Sequence, residues 1–238
     1  MEPGHAHRNL SPPEEQERYQ RNLGTLGREG QRKLLSSRIV IVGLGGLGGH
    51  VLEQMARAGI GQITAMDPDV FESSNQNRQL LSDVHSLGAA KIARAEQRVQ
   101  QIHPETCFLG LQKRHTDAPG EVWQQADLIF DCLDNIPDRL SLAEYCSHAD
   151  CPLVHGAIAG WYGQVAVVWP GSHLLNRLYQ DTGPGLEKEL GTPPFTAALC
   201  ASLMVAEGVK ALCGIHQKNQ GRVTYFDLRE GSFWSVEP

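Results

Sequence analysis

Residues 39–69 read "IVIVGLGGLGGHVLEQMARAGIGQITAMDPD". A short apolar run meets a glycine cluster, a helix-like stretch comes next, and a second apolar run ends in acid. This is the pattern of a nucleotide-binding strand-turn-helix-strand unit. Gly43, Gly45 and Gly48 fit G-x-G-x-x-G, and Gly46 sits inside the same cluster. The first glycine makes a tight turn, the second lets the backbone approach a phosphate, and the third lets helix and strand pack closely. A phosphate then rests on the helix N-terminus, where free N–H groups and the helix dipole favour an anion. Asp67 ends the next strand, about 20 residues on, where an acid hydrogen-bonds a ribose hydroxyl. The alternative is a glycine-rich turn that holds no ligand.

The pattern continues on both sides. "SRIVIVG", "QITAMD", "TCFLGLQ", "ADLIFDCLD" and "CPLVHGAIAG" read as strands. Between them, "HVLEQMARAG" places Val51, Leu52, Met55 and Ala56 on one helical face. "SLGAAKIARAEQRVQQIHP" spaces Ile92, Val99 and Ile102 for burial, with Pro104 just past its end, and "DRLSLAEYCSHAD" is helical. This alternation predicts an α/β fold, a Rossmann-like mostly parallel sheet with helices on both faces. "WYGQVAVVWPG" alternates as an antiparallel strand does, and "GRVTYFDLREGSFWSVEP" reads as a terminal hairpin, so a C-terminal antiparallel extension is expected. The stretch 172–195 is polar and broken by Gly and Pro, and reads as a loop. "PEEQERYQRNLGTLGREGQRKLLSS" reads as one or two short helices, after a flexible tail over residues 1–13. Residues 14–238 then form a single domain, with a nucleotide-binding half over about 36–158 and an antiparallel half over about 159–238.

Composition narrows the function classes. The 238 residues carry a net charge of -6, which argues against a nucleic-acid or anionic-membrane surface. The N-terminus shows no apolar signal region. The most apolar stretch, 195–214, is interrupted by Glu207 and Lys210 and reads as a buried helix. The six cysteines form no C-x-x-C pair and sit mostly in apolar runs, so a cytoplasmic protein without structural disulfides is expected.

The residues C-terminal to Asp67 decide between NAD and ATP. "ESSNQNRQLL" puts Asn75 and Arg78 just past the nucleotide strand, Lys91 comes next in "LGAAKIAR", and Asp134 ends the fourth strand in "FDCLDN". Ligands of open α/β sheets bind outside those strand ends. Hydride transfer needs a dry apolar pocket, whereas a triphosphate with a departing pyrophosphate needs cations and an acid for Mg²⁺. Each residue alone has a plainer reading: Arg78 and Lys91 as solvated charges, Asp134 as the N-cap of the helix starting near Pro137.

Taken in order, these motifs resemble the ubiquitin-activating (E1-like) superfamily, in particular the bacterial ThiF/MoeB/HesA adenylyltransferases. "RYQRN" (residues 18–22) looks like the family's R-Y-x-R element, and "GLGGLGG", "DPDVFESSNQNRQ", "GAAK" and "DCLDN" come after it in family order. The resemblance implies a homodimer that uses ATP and Mg²⁺ to adenylate the C-terminal Gly-Gly carboxylate of a small ubiquitin-like sulfur-carrier protein. It implies that Asp67 binds the ribose, Asn75 lines the phosphate region, Arg78 and Lys91 contact phosphates, and Asp134 holds Mg²⁺. Arg21 would reach the neighbouring subunit's ATP; the alternative is a surface arginine. Many relatives bind zinc through two C-x-x-C pairs, but the matching stretches here, "PGSHLLNRLYQ" and "REGSFWSVEP", contain no cysteine, so no zinc is expected. No cysteine lies between Cys151 and Cys200, so no loop cysteine is placed to accept the acyl group, and Cys200 falls at a core-like position. Two other functions remain: an NAD-dependent oxidoreductase, and adenylation of a non-protein carboxylate such as a tRNA-linked one, which the acidic charge does not favour. The apolar run "VAVVW" (165–169) is a candidate for the dimer interface.

Overall fold

The computed structural model describes residues 17–180, 185–215 and 221–237. The tail expected over 1–13 lies outside the described residues. One eight-stranded sheet organises the chain: β1 (Arg38–Val42), β2 (Gln62–Met66), β3 (Cys107–Leu111), β4 (Leu128–Asp131), β5 (Leu153–Ala159), β6 (Tyr162–Val168), β7 (Val223–Asp227) and β8 (Ser232–Val236). Their order is β3-β2-β1-β4-β5-β6-β7-β8. Strands β1 to β5 run parallel, and β6, β7 and β8 add antiparallel at one side. This is the α/β sheet with an antiparallel extension that the sequence predicts.

The order places the site. β1 pairs with β2 on one side and β4 on the other, so Val42 faces both Met66 and Asp131. Chain direction across the sheet reverses here, and the carboxyl ends of β1 and β4 open a crevice. β1 is buried on both faces, which is why its sequence is a continuous apolar run. Ile39 and Ile41 join the larger core, under α1 (Gln20–Ser36), α2 (Gly48–Ala58), α3 (Lys91–Ile102) and α8 (Pro194–Cys213). Val40 and Val42 join the smaller core on the opposite face, under α4 (Gly120–Gln124), α5 (Ile136–His148) and α6 (Leu174–Leu178). The period-2 alternation of a strand makes that division.

α2 buries the face read from the sequence, Val51, Leu52, Met55 and Ala56. Gly59 ends it in the left-handed region, at φ 88°. α8 is long and apolar enough to cross a membrane by length and composition, yet it packs on the sheet. A Cβ on Gly208 would lie 2.6 Å from Phe130, and one on Gly156 would lie 2.3 Å from the Met204 sulfur. Glycine is needed at both places for helix and sheet to approach.

Three expectations need correction. The stretch 172–195 is not only loop: it contains α6 and a further short helix, α7 (Glu187–Leu190). The short helix α4 separates β3 from β4, where two adjacent strands were expected. The run 165–169 cannot serve as an interface, because Val165, Ala166, Val167 and Val168 are buried within the chain. β6 lies between β5 and β7 and is covered, so its apolar side chains fill core.

Candidate nucleotide site

The glycine loop leaves β1 at Val42 and enters α2 at Gly48. Gly43 has φ 91°, and a Cβ there would sit 2.7 Å from the Cys132 carbonyl oxygen. A Cβ on Gly48 would sit 1.8 Å from the Gly43 oxygen. These two positions accept only glycine, the first for the turn and the second for close packing. No side chain caps the N-terminus of α2. That end of the helix presents N–H groups and a positive dipole to the crevice.

Asp67 comes directly after β2 and turns under this loop. Its Oδ2 accepts the Leu44 N–H at 2.7 Å, and its Oδ1 accepts the Asp69 N–H at 2.9 Å. The Lys91 ammonium lies 3.5 Å from Asp67 Oδ2 and 2.9 Å from Asp69 Oδ2. Burial pushes the Asp67 carboxyl above the usual carboxylate range, against the pull of Lys91 and the two backbone N–H groups. Lys91 stands at the first position of α3 and is itself buried. Asp69 keeps 64% of its side chain exposed and is the more open acid at this corner.

The segment 72–81 folds over the loop from the other side. The Arg78 stem would be 3.4 Å from a Cβ on Gly46, so it lies directly against the glycines. Its guanidinium donates to the Ser74 carbonyl at 3.1 Å and to Asn77 Oδ1 at 2.9 Å. Asn75 has a structural role here: its Oδ1 accepts the Glu72 N–H in a reciprocal capping box around the short 3₁₀ turn Ser73–Asn75. Gln79, one residue past Arg78, escaped the sequence reading. It is buried, its amide nitrogen faces Gly45, and its Oε1 has no hydrogen-bond partner among the described residues.

Asp134 leaves the carboxyl end of β4, where Cys132 N–H bonds the Val42 oxygen beside Gly43. It is exposed. The capping role considered for it belongs to Asn135, whose Oδ1 accepts the Asp138 N–H at the start of α5. The Asp134 carboxylate is left exposed, its Oδ1 accepting from Asn135 Nδ2 at 3.3 Å. Behind it lies a polar group that sequence reasoning did not assemble, buried at Asp131, Arg139 and His155 and half-buried at Gln164 and Tyr179.

Arg21 sits elsewhere. Two residues earlier, Tyr19 is buried, its hydroxyl 3.0 Å from His103 Nε2 and its ring against Gly59. Gly59 ends α2, about 16 Å along the helix from the glycine loop. Arg21 is exposed at that far end, away from the site of its own chain. The structure thus places Asp67, Arg78 and Lys91 around Gly43, Gly45, Gly46 and Gly48, brings the end of β4 that leads to Asp134 beside Gly43, and leaves Arg21 at the far end of α2.

All six cysteines are free. Cys200 is fully buried on α8, and burial pushes its thiol up to about 12. A thiol so placed does not ionise or meet an acyl donor.

The ThiF family profile matches residues 19–238. The chain belongs to the ThiF family. It is 34% identical over 226 residues to the sulfur carrier protein ThiS adenylyltransferase of Escherichia coli K12, covering 92% of this chain and 90% of that protein. It is 33% identical over 238 residues to the sulfur carrier protein adenylyltransferase of Thermus thermophilus, covering 92% and 86%. The molybdopterin-synthase adenylyltransferase of Escherichia coli K12 is 31% identical over 224 residues, covering 91% and 90%. Among solved structures, PaaA superposes with a TM-score of 0.79 at 18% identity, covering 97% of this chain and 84% of that one. Escherichia coli MccB with ATP gives 0.75 at 20% identity, covering 95% and 73%. At these identities the solved structures support the ThiF-type fold.

Proposed function

We propose that this ThiF-family protein uses MgATP to adenylate the C-terminal Gly-Gly carboxylate of a small ubiquitin-like sulfur carrier, releasing pyrophosphate, and that it works as a homodimer. One observation carries the reading. Arg78 and the Lys91–Asp67 pair border the loop 43–46, and Asp134 follows the end of β4 that packs beside Gly43, all at the carboxyl end of the parallel strands. The three relatives named above are all adenylyltransferases, which sets the NAD-dependent alternative aside.

Mg²⁺ fits the donor set. It needs one or two carboxylates, with phosphates and water completing the shell, and Asp134 is exposed and not used as a helix cap. Bound there, the ion would neutralise charge on the phosphate oxygens. The chain's own groups do the rest. The loop N–H groups and α2 hold the phosphates, while Arg78 and Lys91 offset the charge of the leaving pyrophosphate. A carboxylate is already a nucleophile at neutral pH, so no general base is required. It attacks the α-phosphorus in line, the bond to the pyrophosphate oxygen breaks, and an acyl adenylate forms. Arg21 of one copy serves the ATP of the other, since its anchor at Gly59 keeps it from its own crevice.

A carrier needs a surface to rest on. Trp161 and Tyr162, at the turn between β5 and β6, and Phe195, at the start of α8, are all exposed, and the Trp161 and Phe195 rings lie tilted with centroids 4.8 Å apart. That turn lies at the same sheet end as the glycine loop, and an exposed apolar patch of this kind marks a protein contact. Exchange of labelled pyrophosphate into ATP, dependent on a carrier ending in Gly-Gly, tests the proposal. No exchange with any such carrier would overturn it.

A further inference from the structure

The Asp134 carboxylate stands on a loop, yet a metal-binding acid must be held in place to be useful. The structure supplies the restraint one residue earlier. The Leu133 N–H donates to Asp131 Oδ1 at 3.0 Å. The Leu133 carbonyl accepts from Arg139 twice, from Nη2 at 2.8 Å and Nε at 3.2 Å. A buried carboxylate and a buried guanidinium therefore grip the two ends of one residue. Because the peptide between Leu133 and Asp134 is planar, orienting the Leu133 carbonyl orients the Asp134 backbone as well.

The two gripping groups are joined behind the loop. Arg139 Nη1 donates to the Tyr179 hydroxyl at 3.0 Å, and Gln164 Nε2 donates to the same oxygen at 2.8 Å. The Tyr179 hydroxyl lies 2.9 Å from His155 Nε2, which Gln164 Nε2 also approaches at 3.3 Å. His155 Nδ1 then carries a proton and donates to Asp131 Oδ2 at 2.6 Å. The circuit closes: Asp131, His155, Tyr179, Arg139, Leu133 and back to Asp131. The circuit pairs one buried carboxylate, Asp131, with one buried guanidinium, Arg139. Four elements contribute, β4, α5, β5 and the end of α6.

We propose that His155 and Tyr179 are positioning residues for Asp134, acting through Asp131 and Arg139 on the Leu133 backbone. The inference rests on the adenylation reading above, in which Asp134 holds Mg²⁺. None of the circuit's members is among the residues assigned above to ATP or Mg²⁺.

Tyr179→Phe removes one oxygen and keeps the ring, while His155→Asn keeps a donor toward Asp131 and cuts the link to Tyr179. Two measurements decide. In the metal-free protein, amide hydrogen exchange at Leu133 should speed up in each variant by more than the accompanying fall in Tm explains, since the unpaired buried donors cost some global stability as well. In the exchange assay, the Mg²⁺ concentration giving half-maximal rate should rise about tenfold, the scale seen when a partner behind a metal ligand is lost. The double variant should be no worse than either single, since both cut one circuit. Wild-type Leu133 protection or wild-type Mg²⁺ dependence in Tyr179→Phe, with the wild-type protein active, would overturn the positioning role alone. A wild-type protein silent with every carrier would overturn the adenylation reading, and this inference with it.

Discussion

The Leu44 N–H points at Asp67 Oδ2 from 2.7 Å, so the glycine loop is fastened to the end of the neighbouring strand. The same oxygen lies 3.5 Å from the Lys91 ammonium. Asp67 thus shapes the phosphate loop and partners its buried cation. Asp67→Ala leaves two backbone N–H groups without their acceptor and removes one partner of Lys91. We expect a loss of about 2 kcal/mol in denaturant unfolding, with nucleotide binding lost as well. A stability change near zero would show the loop holds itself.

The glycines should divide by what they face. Gly48→Ala would place a methyl 1.8 Å from the Gly43 oxygen, and Gly43→Ala combines φ 91° with a 2.7 Å approach to Cys132. Each should cost about 2 kcal/mol or more. Gly46→Ala meets only the flexible Arg78 stem, at 3.4 Å. It should unfold like the wild type yet bind ATP more weakly, because Arg78 must move. Calorimetric titration alongside thermal unfolding separates the two classes.

How far these features were legible in the sequence depends on their range. The glycine loop, the strands and the buried face of α2 are local patterns, and the structure keeps them. The short helices α4, α6 and α7 escaped because four or five residues give no helical period. Asp134 as a cap was off by one residue, since Asn135 has the extended backbone that lets its side chain reach forward and accept the Asp138 N–H. The apolar run 165–169 suggested an interface, but β7 and β8 lie beyond β6 and cover its edge. The circuit behind Asp134 left no local signal at all. His155, Gln164 and Tyr179 are ordinary residues until the sheet and α6 bring them to one place, and Gln79 became notable only through what it lacks.

Acid should destabilise the protein through its histidines. Burial lowers His50, His103, His115 and His155 below the ordinary imidazole value. A histidine with a lowered folded pKa takes up its proton in the unfolded chain first. Stability is therefore retained above the unfolded value near 6.5 and falls as pH drops below it toward the folded values. Raised Asp67 acts in the opposite sense, at lower pH. Unfolding free energies between pH 7.5 and 5.5, a range of roughly two units around that imidazole value, should decline, and His155→Asn should flatten the slope. A slope independent of His155 would mean it titrates freely.

The placement of Arg21 predicts complementation. Arg21→Ala and Asp134→Asn should each be nearly inactive. Mixed and re-associated, they should recover about a quarter of wild-type sites, because one site of each hybrid dimer is intact. No recovery would return Arg21 to an ordinary surface role.

Cys200 should stay unmodified when the folded protein meets a thiol reagent, while exposed Cys107 reacts. Cys200→Ala should adenylate normally, as expected for a thiol pushed up to about 12 inside the core. Loss of adenylation in a well-folded Cys200→Ala protein would contradict this.

The central claim is that the crevice transfers an adenylyl group. Mixing the protein, Mg²⁺, α-labelled ATP and a carrier ending in Gly-Gly, then quenching, tests it most directly. The account predicts label on the carrier's terminal carboxylate, trapped by hydroxylamine as an unlabelled hydroxamate with release of labelled AMP. Label that reaches the carrier only from γ-labelled ATP, or ADP as the sole nucleotide product, would contradict it.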